Sequence, residues 1–409
     1  VTNGQDVATD VAAGMAADVA ADVTADVAGD AEGGGHVTSA AVSTNTPRSV
    51  VLLGAQRFEP TLGSVVDRLG IRGRIALITA GWQEREAEDD ELSAHLGGHT
   101  VNLALHARGN AVFAADHELS VAHRERQVLL RHLQEIYRIR LEHAFEAERD
   151  VAAYDAPAAI REEVRQSSIE AIRTLDAWHV DHCLSVHDDF ERRFKVASRP
   201  AVQRQRDEIA RALADCSALA IAGGHVAVLL NRLDLFDLHE LIGDRTVFAW
   251  SAGAMAVGDR VVLFHDDPPE GRVARQVLDV GLRLIPRAIA LPEPERRLDL
   301  TVSERVALQA RRFAPSTCLA LPARSYVIWQ GDGFVAAEGA IELCATGETR
   351  PFAPPTTTKH GSGSSPPASL QAALQASLHA PIGAHDKPET TSTTRRRKNT
   401  EARGEGKHR

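Results

Sequence analysis

Cysteine is scarce in this chain and has no pattern. Cys183, Cys216, Cys318 and Cys344 form no CxxC pair and keep no regular spacing, which excludes a disulfide framework and a cysteine-based metal site and suits reduced thiols. Long apolar runs are missing as well, so no segment reads as a membrane span. The beginning of the sequence has no basic region followed by an apolar stretch, so a secretory signal is not expected and a cytoplasmic location is. Positive charge is not in excess either. The formal net charge of -10 argues against nucleic acid as the main partner of the folded part.

What is present is 44% apolar residues in 409, enough for a large buried core, with two ends of different composition. Residues 1–48 repeat the unit Asp-Val-Ala and carry Asp18, Asp22 and Asp26 at i, i+4 spacing. Any helix there would stack like charges, so this leader reads as acidic and disordered. Residues 351–409 are rich in Pro, Ser and Thr and end near the cluster Arg395-Arg396-Arg397-Lys398. They read as a disordered basic tail.

Between the ends, "SVVLLGA" (49–55), "RIALITAG" (74–81) and "TVNLALH" (100–106) read as buried strands, the first two separated by a helical pattern at Leu62, Val65, Val66 and Leu69. Strand–helix–strand with apolar strands points to a parallel sheet covered on both faces. From about 110 to 215 the period is helical throughout, with Leu129, Leu133, Ile136, Tyr137 and Leu141, then Ile160, Val164 and Ile172, on repeating faces. This reads as an all-helical insertion of two to four helices, with starts expected at Asp155 before Pro157 and Ser198 before Pro200. The strand–helix rhythm resumes at "CSALAIAGGHVAVLLNRL" and "RTVFAWSAGAMAVG". Short strands follow, with a hairpin at the Gly-Asp-Gly of 331–333. The expected fold is a three-layer α/β/α domain over 49–350 with a mainly parallel sheet.

Ala249-Trp250-Ser251-Ala252-Gly253 has the spacing of a nucleophile elbow, in which a strand turns sharply into a helix and exposes a serine. Upstream, Gly223-Gly224-His225 closes one strand and opens a helix, where backbone N–H groups suit an oxyanion. Ser251 also fits a plain helix N-cap. "AIAGGHVAVLLNRL", "FAWSAGAMAVG" and "DVGLRLIPRAIA", taken in that order, resemble the peptidase E and cyanophycinase family of serine peptidases. The resemblance covers the first two strands and roughly 216–335. It implies a glutamine-amidotransferase-like fold, a Ser251 nucleophile and an oxyanion turn at Gly223 and Gly224; Ala252, next to the serine, is a further binding candidate. It also implies a small peptide-like or amide substrate and no cofactor. Glutamine amidotransfer itself uses a cysteine at the elbow, where this chain has Ser251.

The family's catalytic histidine follows its Gly-Leu-Pro segment. Here "GLRLIPR" (281–287) leads into "AIALPEPERRLDL", which holds no histidine and puts Glu293 near that position. The base is therefore open among His225, His265 and Glu293, and Glu270 lies where the family sometimes has a third, acidic member. Three readings follow: a divergent hydrolase with another base, a non-catalytic relative that binds a ligand, or a structural N-cap. An interaction protein would instead expose an apolar patch on the helices of 117–215 and close off the elbow. His179, Cys183 and His187 form one stripe at i, i+4, i+8, with Asp188 or Asp189 beside them, but charged helical surface is the default and no metal is assigned. "GWQEREAEDDE" (81–91) sits at the carboxyl edge of a strand, where open α/β sheets bind ligands. Trp82, Gln83 and Arg85 are therefore pocket candidates and the acids after them a solvated helix start. Homo-oligomerisation is left open.

Overall fold

The computed structural model describes residues 47–266 and 275–355, and the expectations for most of the leader, the tail, the basic cluster and Glu270 lie outside them. In chain order the elements are β1 (Ser49–Leu53), α1 (Leu62–Arg68), β2 (Arg74–Ile78), a 3-10 segment (Ala80–Arg85), α2 (Asp90–His95) and β3 (Thr100–Asn102). Helices α3 (Leu105–Ala115), α4 (His117–Ala153), α5 (Ala158–Phe194) and α6 (Pro200–Ala214) follow, then β4 (Cys216–Ile221), α7 (Val226–Leu235), α8 (Leu238–Ile242), β5 (Thr246–Trp250) and α9 (Ala252–Ala256). The remainder is β6 (Arg260–Leu263), β7 (Gln276–Val280), β8 (Ala288–Pro292), α10 (Pro294–Arg297), α11 (Ser303–Phe313), β9 (Thr317–Leu321), β10 (Tyr326–Gln330), β11 (Gly333–Glu338), β12 (Ile341–Leu343) and β13 (Thr349–Pro351).

The central sheet has seven strands in the order β11-β10-β1-β5-β4-β2-β3, of which β1, β5, β4, β2 and β3 run parallel and β10 and β11 antiparallel. With helices packed against it, this is the mainly parallel three-layer α/β/α arrangement that the apolar strands predict. Val50 to Leu53, Ala76 to Ile78, Leu219 to Ile221 and Val247 to Ala249 are buried, as strands covered on both faces must be. The Gly-Asp-Gly turn does join an antiparallel hairpin, with Gln330 opposite Gly333 and Gly331 at φ 61°. A second sheet, β13-β12-β9-β8, and a two-stranded ribbon of β6 and β7 complete the set. β13 carries the folded chain past residue 350, and Phe352 N–H bonds Ala340 O at 2.8 Å.

The chain from α3 to α6 is helical, and the helix starts differ from expectation. Ser198 caps nothing, since its hydroxyl donates to Lys195 O at 2.7 Å, while Pro200 occupies the first turn of α6, where its missing N–H costs no bond. Helix α5 opens at Pro157 without a side-chain cap, and the capping aspartate is Asp116, which accepts from Leu119 N–H at the start of α4. Arg199 grips the same carboxylate at 2.6 and 2.8 Å and holds it below the usual carboxylate range, so the starts of α4 and α6 are tied together. Helices α4 and α5 are 37 residues each and pair as an antiparallel hairpin, with Tyr137 beside Asp176 and Glu148 beside Arg165. Their outer faces expose Leu129 at 54%, Ile136 at 50% and Ile160 at 52%. Among the described residues no helix is long and apolar enough to cross a membrane.

A second core joins the hairpin to β7, β8, β9 and α11 through Leu141, Ile172, Val277, Ile289 and Phe313. At its centre Arg312 donates to both oxygens of Asp176 at 2.6 Å, and both side chains are fully buried. Tyr137 OH donates to Asp176 at 2.7 Å and accepts from Arg312 at 2.9 Å and from Val277 N–H at 3.2 Å. Burial alone would lower the Arg312 pKa, but the adjoining carboxylate wins and raises it. Because each partner is satisfied, the network holds as a unit, and removing one member leaves a bare buried charge. Asp176→Asn is expected to cost about 3–5 kcal/mol in urea unfolding, and the apolar pair Asp176→Leu with Arg312→Met to recover most of that loss.

His123 on α4 meets Asn231 Oδ1 at 2.7 Å through Nε2. Burial, with Arg126 and Arg232 nearby, pushes its pKa down to about 4. The folded state thus keeps the ring neutral while the unfolded chain takes up a proton near pH 6.5. Its contribution to stability is full above about pH 6.5 and is lost as the pH falls through about 4. His123→Gln should flatten the decline in unfolding free energy across that window, read from urea midpoints at several pH values.

Candidate functional site

Strands β2, β4 and β5 end side by side in the central sheet, and their following turns crowd together. Ser251, directly after β5, has φ 49° and ψ -124°, a conformation that costs a non-glycine residue about 1–3 kcal/mol. Gly223, after β4, stands against it: a Cβ there would lie 2.7 Å from Ser251 Cβ and 3.5 Å from Ala252 N. Gly224, at φ 106°, faces Gly81 after β2, where a Cβ would come within 2.3 Å of Gly81 O. His225 N–H bonds that same oxygen at 2.7 Å. The small residues are thus demanded by backbone contact among three turns, which a single pentapeptide cannot reveal. The N–H groups of Gly223, Gly224 and Ala252 donate to no acceptor among the described residues.

The serine is half-buried and does not cap α9, which sets aside the plain N-cap reading. Its hydroxyl donates instead to Glu293 Oε1 at 3.2 Å. How a residue 42 positions away arrives there follows from the segment 281–287. Leu282 N–H bonds Ala256 O, Arg283 N–H bonds Gly258 O, and Leu284 and Ile285 N–H both bond Val257 O, which pins the segment to the end of α9. Gly281 is required for that approach, since a Cβ would sit 2.3 Å from Gly258 O. Arg287 N–H then bonds Asp259 Oδ2 at 3.0 Å, β8 runs to Pro292, and Glu293 turns back at φ 55° before Pro294 opens α10. The Oε2 side of Glu293 faces Arg297 at 3.9 Å and Arg296 at 4.0 Å.

The other candidates take different places. The His225 ring caps α7, its Nδ1 accepting from Val228 N–H at 3.3 Å, and burial lowers its pKa, so it is neutral with the proton on Nε2. His265 follows β6 and bonds no described residue; its Nδ1 is buried. Ser251 Oγ bonds neither histidine among the described residues. Trp82 and Gln83 are half-buried in the 3-10 segment, and Gln83 has φ 58° and ψ -121°, close to the backbone geometry of Ser251. Arg85 is exposed and pairs with Glu88.

Sequence reasoning missed Glu86. Assigned to a solvated acidic run, it is buried, and its carboxylate accepts from His106 and Ala107 N–H at 2.8 and 2.9 Å at the start of α3. Thr79 and Asn102 bond its carbonyl, so the turn that carries Gln83 is anchored at both ends. The histidine stripe on α5 is used internally: His179 stacks on Tyr137 with ring centroids 4.2 Å apart and lies 3.6 Å from Cys183 Sγ, while His187 bonds Asp279 at 2.9 Å. Among the described residues no group of three or more His, Cys, Asp or Glu side chains is placed to hold a metal ion.

No family model matches the chain, and no curated protein matches it. Among solved structures it is similar to one described as the crystal structure of a peptidase from an acI-B1 Actinobacterium, at 11% identity, covering 75% of this chain and 98% of that chain with a TM-score of 0.31. A likeness that loose carries no argument, so the site stands on its own geometry.

Gly223→Ala is expected to destabilise the protein by about 1–3 kcal/mol through overpacking against Ser251. Gly333→Ala, where a Cβ meets nothing within 4 Å, should cost less. Urea unfolding of the two variants compares them directly.

Proposed function

We propose that this chain is a divergent, peptidase-E-like serine hydrolase acting on a small peptide or amide, with Ser251 as nucleophile and Glu293 as its base. The observation that carries the reading is the Ser251–Glu293 bond at a strained strand-to-helix turn. A structural serine has no need of that backbone conformation and would bond the helix it opens. The free N–H groups of Gly223 and Ala252 beside the serine support an oxyanion role, with Gly224 next in line.

In this mechanism Ser251 Oγ bonds the substrate's acyl carbon as its proton passes to Glu293 Oε1, and the carbonyl oxygen takes the negative charge toward the Gly223 and Ala252 N–H groups. Collapse breaks the C–N bond, and the amine leaves with the proton from Glu293. Water then adds to the acyl-serine, giving its proton to Glu293. The ester C–O bond breaks, Ser251 recovers the proton and the acid departs.

A ligand-binding relative without catalysis is the second reading. It is favoured by the lack of a histidine bonded to Ser251 among the described residues and by Arg296 and Arg297, which already face Glu293 Oε2 at 4.0 and 3.9 Å. The exposed apolar side chains of α4 and α5 meet one half of what an interaction protein predicts, but the half-buried Ser251 does not fit an occluded elbow.

Labelling with a fluorophosphonate probe separates the two main readings. The wild type should label, Ser251→Ala should not, and Glu293→Gln should label about 100-fold more slowly or worse, as loss of a general base requires. Circular dichroism checks that each variant is folded. A folded wild type that stays unlabelled by both a small and a bulky probe would overturn the hydrolase reading in favour of the binding one.

A further inference from the structure

Residues of α4, α5, α7 and β7 line a half-open cavity of about 100 Å³ that none of Ser251, Glu293, Gly223 or Gly224 lines. Its walls are charged. Arg126, Arg131 and Gln134 project from α4, His187 from α5, Asp234 from α7 and Asp279 from β7. At i, i+5 and i+8 the three α4 residues share one helix face.

Several of these groups lack a partner among the described residues. Arg126 is 8% exposed and lies over the Phe190 ring at 4.4 Å, and its Nε bonds nothing. Arg131 Nε is buried and likewise unbonded. Gln134, 9% exposed, spends its amide N–H groups on Gln276 Oε1 at 2.7 Å and Val277 O at 3.3 Å, which leaves Oε1 as an acceptor with no donor. His187 uses Nε2 on Asp279 and leaves Nδ1 unbonded. Asp234 is exposed to solvent at the wall of the cavity and makes no side-chain hydrogen bond. Burial lowers the Arg126 pKa, against the through-space pull of Asp234 and Asp279.

A buried guanidinium without an acceptor is among the costliest groups a fold can hold, whereas Arg312 in the same protein is fully satisfied. Guanidinium forks match the two oxygens of a carboxylate, and the unused acceptors, Gln134 Oε1 and Asp234, call for a donor next to it. Two arginines against two aspartates leave the walls near neutrality, which suits a ligand without net charge. The volume admits only a few heavy atoms.

We propose that this cavity is a second binding site, for a small carboxylate with an adjacent hydrogen-bond donor, of the α-amino or α-hydroxy acid class. The carboxylate lies between Arg126 and Arg131, and the amino or hydroxyl group faces Gln134 Oε1 and Asp234.

The test is thermal unfolding and titration calorimetry of the full chain with glycine, glycolate, acetate and inorganic phosphate at constant ionic strength. Glycine or glycolate should give a saturable rise in Tm and measurable heat, and acetate should bind about tenfold more weakly, for want of the donor. Arg131→Gln and Gln134→Leu should each weaken binding by about tenfold or more, while Arg124→Gln, exposed on the same helix, should not. Arg131 is half-buried and its variant is expected to fold, so the test does not depend on altering Arg126. Absence of saturable binding of glycine and glycolate by the wild type overturns the proposal. So does equal binding by the Arg131 variant, equal affinity for acetate, or a preference for phosphate.

Discussion

Everything at the proposed catalytic centre depends on how closely three backbones approach one another. The turns after β2, β4 and β5 meet with no room for a side-chain carbon at Gly81, Gly223 or Gly224, and Gly253 is held against Ile221 O in the same way. That crowding over-determines the conformation of Ser251. A serine at φ 49° relaxes unless its neighbours hold it, and here Gly223 leaves no room for a further carbon beside its Cβ. Close packing converts the strain into a fixed direction for the hydroxyl, which a flexible loop could not supply.

The partner of that hydroxyl is delivered by a different device. Four backbone bonds dock 282–285 onto the end of α9, and the docking sets where β8 begins and therefore where Glu293 emerges. Glu293 follows a strand of the second sheet and Ser251 a strand of the first, so the pair exists only where the two sheets are joined. The main core supplies that join, because Ala288 and Ala290 of β8 and Leu319 and Leu321 of β9 are buried in one cluster with Val247 and Ala249 of β5 and Ala254 and Ala256 of α9.

The helical hairpin treats charge in two opposite ways. Around Arg312 all three guanidinium nitrogens, both Asp176 oxygens and the Tyr137 hydroxyl are hydrogen-bonded, and the network fixes the helices to β7 and α11. Around Arg126, about three turns along α4 from Tyr137, buried polar atoms are left without partners. What separates the two regions is whether a complementary group from another element falls within hydrogen-bond reach.

Local rules carried the reading a long way. Strand and helix periods, the double-glycine turn, the elbow spacing and the Gly-Asp-Gly hairpin were all legible because each rests on residues within a few positions of one another. Helix starts fared worse. The caps expected at Asp155 and Ser198 gave way to Asp116, whose carboxylate is held by Arg199, a contact across 83 positions. Glu86 looked like one more acid in a solvated run, yet its carboxylate accepts the first-turn N–H groups of α3. Which of His225, His265 and Glu293 would meet Ser251 could not be read from spacing, since all three lie on different elements. By itself the sequence determined the elements, the parallel sheet and the corner where Ser251 stands. Tertiary structure alone decided its hydrogen-bond partner, the buried Asp176–Arg312 pair and the charged cavity, because a side chain's partner depends on distances that exist only after the sheets and helices have packed.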